Sequence, residues 1–153
     1  MTTRRSAGIL LFGRAGDDLE VLLGHMGGPF WARRDAGAWT IPKGEHDEQE
    51  TAWDAARREF VEELGLDVPA GEPLDLGEVR QSGGKMVRAF AIEGRLDPDA
   101  VVSGTFEMEW PRGSGRLQRF PELDRVAWFT LDEAADRIVK AQRELLTRLR
   151  DRR

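Results

Sequence analysis

The sequence predicts an α/β fold in which helices cover both faces of a β-sheet, and three observations support this prediction. Short apolar or alternating segments recur between Gly-rich and Pro-rich turns, which is the pattern of strands. Residues 48–64 carry apolar side chains three and four positions apart, the period of an amphipathic helix. A second helical pattern covers residues 131–140 and continues or kinks into residues 142–150. Strands around one helix and before another are typical of a layered α/β domain.

Turn chemistry separates the strands. Residues 13–18 have the composition of a hairpin turn, and so does Ser-Gly-Gly-Lys at residues 82–85. Three further segments, residues 26–38, 97–104 and 111–118, are predicted as loops, the last of them flexible and basic. The predicted strands cover residues 6–12, 20–25, 39–41, 74–81, 86–92, 105–110 and 125–130.

Length and composition narrow the possible functions. A chain of 153 residues predicts a single domain, residues 1–153, that buries a real core. The net charge of −5 argues against non-specific binding to nucleic acid or membrane surfaces. There is no cysteine, which excludes disulfides, thiolate metal ligands and a cysteine nucleophile. No stretch is long enough to span a bilayer, so we expect a cytoplasmic protein, either monomer or homodimer.

The helix predicted at residues 48–64 has an apolar face and an acidic face. Glu59, Glu62 and Glu63 fall together beside the apolar stripe, and like charges at this spacing destabilise a helix by a few tenths of a kcal/mol per pair. A cation between them is therefore expected, unless they form an ordinary solvated face. Mg²⁺ suits such a site because it prefers oxygen ligands. The apolar stripe comprises Trp53, Ala56, Phe60 and Leu64.

The ends of this helix carry their own signals. Asp47 followed by Glu50 forms an acidic capping pair at the predicted start, and Gly65 suits the left-handed residue that ends a helix. Gly44 lets a backbone approach another group closely. With average residue usage, fixed residues at these positions match by chance about once per billion starting points. Chance does not explain the pattern.

Residues 44–66 resemble the Nudix box, Gly-x5-Glu-x7-Arg-Glu-apolar-x-Glu-Glu-x-Gly-apolar, and fill every position of it. The resemblance implies a Nudix α/β/α sandwich with a mixed sheet flanked by helices. It also implies hydrolysis of a phosphoanhydride in compounds of a nucleoside diphosphate linked to another group, with bound Mg²⁺ or Mn²⁺ as cofactor.

The same resemblance assigns roles within the box. Glu59 and Glu63 are implied as main metal ligands, Glu62 as a further ligand and the Gly44 carbonyl as a backbone ligand. Arg58 is expected to hold a box glutamate in place by ion pairing. Glu50 is expected to be structural, through capping and loop contacts.

Candidate substrate contacts lie just before the box. The long loop at residues 26–38 contains Phe30, Trp31, Arg33 and Arg34, which are candidates for gripping the substrate or else form a solvated loop pinned by its aromatics. Lys43 is a candidate mobile charge for a phosphate, against the alternative of a solvated surface lysine. The sequence IPKGE resembles the start of the box in dinucleoside polyphosphate and diphosphoinositol polyphosphate hydrolases.

A second set of candidates lies on the strand predicted at residues 105–110. Glu107 and Glu109 share one face and are candidates for a fourth carboxylate near the metals, while Phe106 and Trp110 on the other face are candidates to stack a base. The alternative is a surface strand with ordinary alternation. The general base is left open between a box glutamate such as Glu59 and these two loop carboxylates.

Substrate preference is only narrowly predicted. The chain has no Tyr, and no proline lies about fifteen residues after Leu66, which disfavours one diadenosine polyphosphate group and ADP-ribose. A nucleoside triphosphate or deoxynucleoside triphosphate is favoured, closely followed by a dinucleoside polyphosphate. A diphosphoinositol polyphosphate phosphohydrolase would want more cations than Lys43, Arg33 and Arg34 supply. A Nudix-fold nucleotide-binding regulatory module is the third alternative, although such members usually lose box glutamates.

Overall fold

The computed structural model describes residues 4–152. Its strands are β1 (Arg5–Ala15), β2 (Asp18–Met26), β3 (Trp39–Thr40), β4 (Lys43–His46), β5 (Leu74–Arg80), β6 (Met86–Glu93), β7 (Thr105–Glu109), β8 (Leu117–Pro121) and β9 (Leu123–Thr130). Its α-helices are α1 (Ala52–Leu64), α2 (Leu131–Arg137) and α3 (Arg143–Arg152). The C-terminal helical pattern is thus kinked, with a 3₁₀ turn at Lys140–Gln142 separating α2 from α3.

Seven strands form one mixed sheet. Its hydrogen-bonded order is β3-β2-β1-β6-β5, with β4 also paired to β1 and β9 also paired to β2. Strand β1 is parallel to β6 and antiparallel to β2 and β4. The predicted hairpin around residues 82–85 is confirmed, because β5 and β6 pair antiparallel on either side of it.

Helices pack on both faces of this sheet, as the sequence predicts. Alternate side chains of β1 enter two separate cores because strand side chains point to opposite faces. Leu10 and Phe12 join the core beneath α2 and α3, whereas Ile9 and Leu11 join the core beneath α1. The α1 core also includes Ala55, Ala56, Phe60 and Leu64. The last three of these belong to the predicted apolar stripe.

Helix α1 begins later than predicted. Thr51 is its N-cap, and the Thr51 hydroxyl accepts a hydrogen bond from the Asp54 N–H at 3.1 Å. The prediction that Asp47 and Glu50 cap the helix was wrong. Asp47 instead accepts the Gln49 N–H within the preceding turn, and Glu50 pairs with an arginine of α1. A Thr side chain satisfies the free N–H groups of a first turn as well as an acid does.

The C-terminal end of α1 is held by Gly65 and the chain beyond residue 101. Gly65 has φ 68°, as predicted, and its N–H donates to the Val61 carbonyl at 2.8 Å. The Val102 N–H donates to the Leu64 carbonyl at 2.9 Å, and the Gly104 N–H donates to the Glu62 carbonyl at 3.2 Å. Residues 102–104 therefore satisfy carbonyls of the last turn.

Strands β7 and β8 form a separate two-stranded hairpin. The register places Phe106 opposite Phe120 and Glu107 opposite Arg119. The prediction that residues 111–118 form one flexible loop was wrong at its end, since β8 begins at Leu117. Among the helices described in residues 4–152, none is long and apolar enough to cross a membrane.

Candidate active site

An acidic cavity of about 340 Å³ lies where α1, β4 and the start of β7 meet. Five carboxylates and two lysine amines line it, although the chain carries them on four different segments. The carboxylates belong to Glu45, Glu59, Glu62, Glu63 and Glu122, and the amines belong to Lys43 and Lys85; Ser6, Gly44, Gly104 and Thr105 complete the lining. The cavity thus brings the box glutamates to one place, together with opposite charge.

Gly44 gives one wall its shape. A Cβ built on Gly44 would lie 1.8 Å from Glu59 Oε1 and 2.1 Å from the Glu59 carboxyl carbon. The Glu59 carboxylate therefore rests directly on the Gly44 backbone, and only glycine leaves room for it. Strand β4 fixes the position of this backbone, because Gly44 pairs with Ala7 of β1.

Arg58 organises the box carboxylates. Its Nε and Nη2 donate to both oxygens of Glu50 at 2.8 and 2.9 Å, a bidentate pair. Its Nη1 donates to Glu59 Oε2 at 2.8 Å and to Glu62 Oε2 at 3.3 Å. The expected ion pair between Arg58 and a box glutamate is present, and the hydrogen bonds from Arg58 hold the pKa of Glu50 below its usual range.

Glu63 is a partly buried acid that lines the cavity. The Lys43 N–H donates to Glu63 Oε2 at 3.0 Å, so the backbone of β4 orients this carboxyl. Burial raises the pKa of Glu63 to about 8, with the negative charges of Glu59 and Glu122 acting in the same direction. Burial also raises the pKa of Glu59, assisted by the charge of Glu62.

Two lysines face these acids from different strands. Burial lowers the pKa of Lys43, and the nearby charge of Lys85 lowers it further, while the Glu63 carboxylate opposes both effects. Lys85 comes from the turn between β5 and β6, where sequence reasoning noted only turn composition. A lysine beside a glycine-rich turn carries no local signal that it faces a site on another element.

Glu122 supplies the fifth carboxylate and was missed by sequence reasoning. It lies between β8 and β9, its N–H donates to the Gly104 carbonyl at 2.8 Å, and its carbonyl accepts the Gly27 N–H at 2.9 Å. Burial raises the pKa of Glu122. The sequence signal was an acid just before the apolar strand predicted at residues 125–130, in a segment PELD that also suits an ordinary loop.

The carboxylates expected on β7 point elsewhere. Glu107 pairs with Arg119 at 3.1 Å across the hairpin, and Glu109 accepts the Gly113 and Gly115 N–H groups at its tip. Neither lines the acidic cavity, which β7 reaches only through Thr105. Phe106 packs against Phe120 and over Gly28 instead of facing the carboxylates. The alternation of side chains along β7 was predicted correctly. The sequence did not predict which side chains of β7 face the cavity.

The substrate candidates of residues 26–38 are divided between two other cavities. Trp31 lines a mostly apolar one of about 610 Å³ that also includes Met26 and Val139. Arg33 and Arg34 line another, and neither reaches the acidic cavity. Phe30 is 58% exposed and lies edge-on to Trp31, with its ring beneath the Arg34 guanidinium at 4.2 Å.

The donors of the acidic cavity suit a divalent metal. They are all oxygens, as Mg²⁺ and Mn²⁺ prefer. Burial is the main cause of the raised pKa values of Glu59 and Glu63, and neighbouring carboxylates add to it, so a bound cation would offset both effects. Within residues 4–152, no three acidic or histidine side chains converge as a preformed metal cluster. Arg58 draws Glu59 and Glu62 to one side, and the Lys43 N–H holds Glu63.

A mixed sheet lies between helices, and a glutamate-rich helix lies over an acidic cavity. The chain belongs to the Nudix family: the family model described as NUDIX domain matches residues 2–149. The resemblance inferred from residues 44–66 and the fold that it implied are both confirmed. No curated protein matches the chain.

Solved structures share this fold at low sequence identity. The crystal structure of C. elegans Ap4A hydrolase superposes with a TM-score of 0.65 at 20% identity, covering 98% of each chain. The NUDIX domain of Shewanella oneidensis NrtR complexed with ADP ribose gives 0.65 at 17% identity, covering 99% of this chain and 89% of that one. RenU, a Nudix hydrolase from M. smegmatis, gives 0.56 at 25% identity, covering 95% and 83%.

Proposed function

We propose that the protein is a metal-dependent pyrophosphohydrolase that cleaves a phosphoanhydride bond in a nucleoside diphosphate-linked substrate. The substrate that we favour is a nucleoside or deoxynucleoside triphosphate, narrowly ahead of a dinucleoside polyphosphate. The observation that carries the proposal is the acidic cavity, where box carboxylates and two lysines face each other. Polyphosphate cleavage needs both kinds of charge, since metals must be held and phosphate oxygens must be neutralised.

The metal ligands that we propose are Glu59, Glu62, Glu63 and the Gly44 carbonyl. Glu122 adds an oxygen donor from across the cavity. A divalent cation bound there supplies charge neutralisation at the phosphate oxygens and acidifies water. Since Mg²⁺ is usually held by one or two carboxylates together with substrate phosphates, this donor set is sufficient.

The remaining cavity groups act on the substrate or on the ligands. We propose that Lys43 and Lys85, which line the cavity, contact phosphate oxygens as point charges. Arg58 positions Glu59 and does not itself line the cavity. The proton acceptor for the attacking water is proposed among the cavity carboxylates, because Glu107 and Glu109 are engaged within the β7–β8 hairpin.

The nucleobase has a separate candidate position. The cavity lined by Met26, Trp31 and Val139 is concave and mostly apolar, with polar groups from Gln81 and Ser82 at its edge. Such a surface suits a flat heterocycle that also needs a few hydrogen bonds. Among the aromatic residues proposed to stack the base, Trp31 is therefore the one that this geometry favours.

The decisive experiment incubates the protein with Mg²⁺ and a panel of nucleotides, dinucleotides, sugar nucleotides and diphosphoinositol polyphosphates, and follows phosphate or pyrophosphate release. We expect turnover of a triphosphate or dinucleoside polyphosphate. Glu59→Gln and Glu63→Gln are expected to lower kcat by at least about 100-fold with the fold intact, because each removes one charged ligand.

Glu72→Gln is the matched control, since Glu72 is exposed and lies outside the acidic cavity. Absence of turnover with every substrate, together with equal Mg²⁺ binding by Glu63→Gln and the unaltered chain, would overturn the hydrolase proposal. Nucleotide binding without turnover would favour the regulatory module instead.

A further inference from the structure

A second charged cavity, here called the arginine cavity, is lined by Arg33, Arg34, Arg125 and Arg137 together with one acid, Asp35. Its volume is about 500 Å³, and it shares no lining residue with the acidic cavity. Its floor includes Trp39 and Phe129, which pack with the core beneath α2 and α3 rather than with the α1 core. Three of the five glutamates of the acidic cavity lie on α1, so the arginine cavity belongs to the other face of the sheet.

Aromatic rings hold three of these guanidiniums in place. Arg125 Cζ lies 5.3 Å from the Trp39 ring centroid, and Arg137 Cζ lies 4.9 Å from that of Phe129. Arg34 Cζ lies 4.2 Å from the Phe30 centroid, as described above. Stacking covers one face of a guanidinium and leaves its in-plane N–H groups free to donate. The donors are thus oriented before a ligand arrives.

The charge of the arginine cavity is only partly balanced. Arg137 Nε lies 3.5 Å from Asp35 and Arg125 Nε lies 3.8 Å from Asp124, both longer than a direct charged hydrogen bond. Asp35 accepts the Trp39 indole N–H at 2.8 Å, and Asp124 pairs with a histidine at 2.7 Å. Both carboxylates therefore have stronger partners than the arginines.

The other two arginines have still fewer contacts. In the part of the chain that the structure describes, the Arg33 and Arg34 side chains form no ion pair with any acid. Of the four guanidiniums, only that of Arg137 donates a hydrogen bond there, to the Glu133 carbonyl at 3.3 Å. Four positive charges around one concavity repel one another. The chain has a net charge of −5, so it carries enough acids to pair with these arginines, yet they are only partly paired.

We propose that the arginine cavity binds a small anion with two linked phosphates, at a site separate from the acidic cavity. Guanidinium groups bind phosphate oxygens bidentately, and two pairs of arginines match two neighbouring phosphates. The aromatic faces are already covered by arginines, so recognition rests on anionic oxygens and not on base stacking. The acidic surface of the protein as a whole disfavours a long polyanion such as nucleic acid.

In the test, the full chain is titrated with inorganic pyrophosphate in the presence of EDTA. Binding is measured by calorimetry and by shift changes of the arginine Nε–H signals in NMR spectra. Chelation removes the metal that the acidic cavity would need, so the outcome does not depend on the proposed hydrolase function. We expect binding to one site. Arg33→Gln combined with Arg125→Gln should weaken it at least tenfold, because both guanidiniums are exposed donors on the cavity wall.

Two control variants separate this site from the alternatives. Arg112→Gln with Arg116→Gln removes the same charge from the exposed end of the β7–β8 hairpin and should bind pyrophosphate normally. Lys43→Gln with Lys85→Gln should also bind it normally in EDTA. Should the double variant of the arginine cavity fail to fold, Arg33→Gln alone is tested by its weaker pyrophosphate affinity in calorimetry.

Three results would overturn the proposal. The first is the absence of pyrophosphate binding without metal. The second is an equal loss of pyrophosphate affinity in the Arg112 and Arg116 variant, which would show that the effect depends only on net charge. The third is that the Lys43 and Lys85 variant loses pyrophosphate binding while the Arg33 and Arg125 variant keeps it. This result would place the anion in the acidic cavity.

Discussion

The carboxylate of Glu59 lies on the backbone of Gly44, so closely that a Cβ at residue 44 would come within 1.8 Å of Glu59 Oε1. The same carboxylate accepts a hydrogen bond from Arg58 Nη1 at 2.8 Å on its other oxygen. Glu59 is thus held between Gly44, which leaves room for its carboxylate, and an arginine from its own helix. Its position depends on both contacts.

Gly44→Ala is expected to displace Glu59 while leaving the fold intact. The atoms in conflict are at the far end of a flexible side chain, so the carboxylate can swing away at a cost of about 0.5–1.5 kcal/mol. Since the displaced carboxylate is a proposed metal ligand, Mg²⁺ affinity and kcat should fall at least tenfold. Isothermal titration and thermal unfolding measure the two effects. A variant with unchanged Mg²⁺ affinity would show that Glu59 is not a ligand.

Arg58→Lys keeps the charge but cannot reproduce the bidentate pair with Glu50 and the contact with Glu59 at once. We expect kcat/KM to fall about 10- to 100-fold, as for groups that orient metal ligands. Arg57→Lys is the matched control, because the neighbouring Arg57 is exposed and its guanidinium lies 6.0 Å from the Trp53 ring centroid, away from the box carboxylates that Arg58 binds. Equal losses in both variants would assign the effect to the helix surface and not to the orientation of Glu59.

The stability of the metal-free protein should depend on pH through Glu63. Its pKa is raised to about 8 in the folded state from the ordinary value of 4.5, so the folded protein keeps a proton that the unfolded chain releases. This contribution to stability is complete below pH 4.5 and is lost as the pH rises to 8, with a slope of up to about 1.4 kcal/mol per pH unit. Glu59, Glu122 and Lys43 are the charges that face it.

Urea unfolding in EDTA between pH 5 and pH 9 measures this dependence as the difference between the unaltered chain and Glu63→Gln. The variant should show the flatter profile, because the amide does not titrate. Glu72→Gln should retain the slope. Parallel profiles for Glu63→Gln and the unaltered chain would mean that Glu63 has an ordinary pKa and is not buried among the other acids.

Lys85→Ala is expected to raise KM about tenfold with a smaller change in kcat. The Lys85 side chain lines the acidic cavity, and among the described residues it forms no ion pair, so its charge is available to a substrate phosphate. Loss of a contact made equally in the ground state and the transition state appears in KM. Lys85→Arg should restore most of the affinity. A fall in kcat alone, not rescued by arginine, would contradict this role.

Sequence reasoning worked best where the relevant contacts are local. Glu59, Glu62 and Glu63 occupy one side of a single helix, so helical spacing was enough to group them, and Arg58 reaches two of them from within the same turn. The alternating strands and the two-sided core followed from periodicity in the same way. Each of these features depends on residues only a few positions apart.

The long-range part of the site could not be predicted in this way. Glu122 and Lys85 enter the acidic cavity because the chain reverses at the β8–β9 and β5–β6 junctions, and no spacing along the sequence encodes those approaches. Glu107 and Glu109 show the reverse case. Their alternation marked a strand with one acidic face, but the pairing of β7 with β8 turned that face toward Arg119 and the hairpin tip.

His25 anchors the segment that carries Arg33 and Arg34. The ring is fully buried, its Nδ1 lies 2.7 Å from Asp124 Oδ1, and its Nε2 lies 2.6 Å from the Arg34 carbonyl oxygen. Both ring nitrogens therefore face acceptors, one in β9 and one in the loop before β3. The edge of the ring also packs against Trp39 at a centroid distance of 5.2 Å.

His25→Ala should lower the free energy of unfolding by about 2–4 kcal/mol, because it leaves a cavity and deprives two acceptors of their partner. His46→Ala is the control, since the His46 ring hydrogen-bonds the adjacent Asp47 carbonyl on the surface and its loss should change stability by less than about 0.5 kcal/mol. Urea denaturation gives both values. If His25→Ala proved as mild as His46→Ala, the loop at Arg34 would be held by Trp39 and Asp35 instead, through the indole hydrogen bond between them.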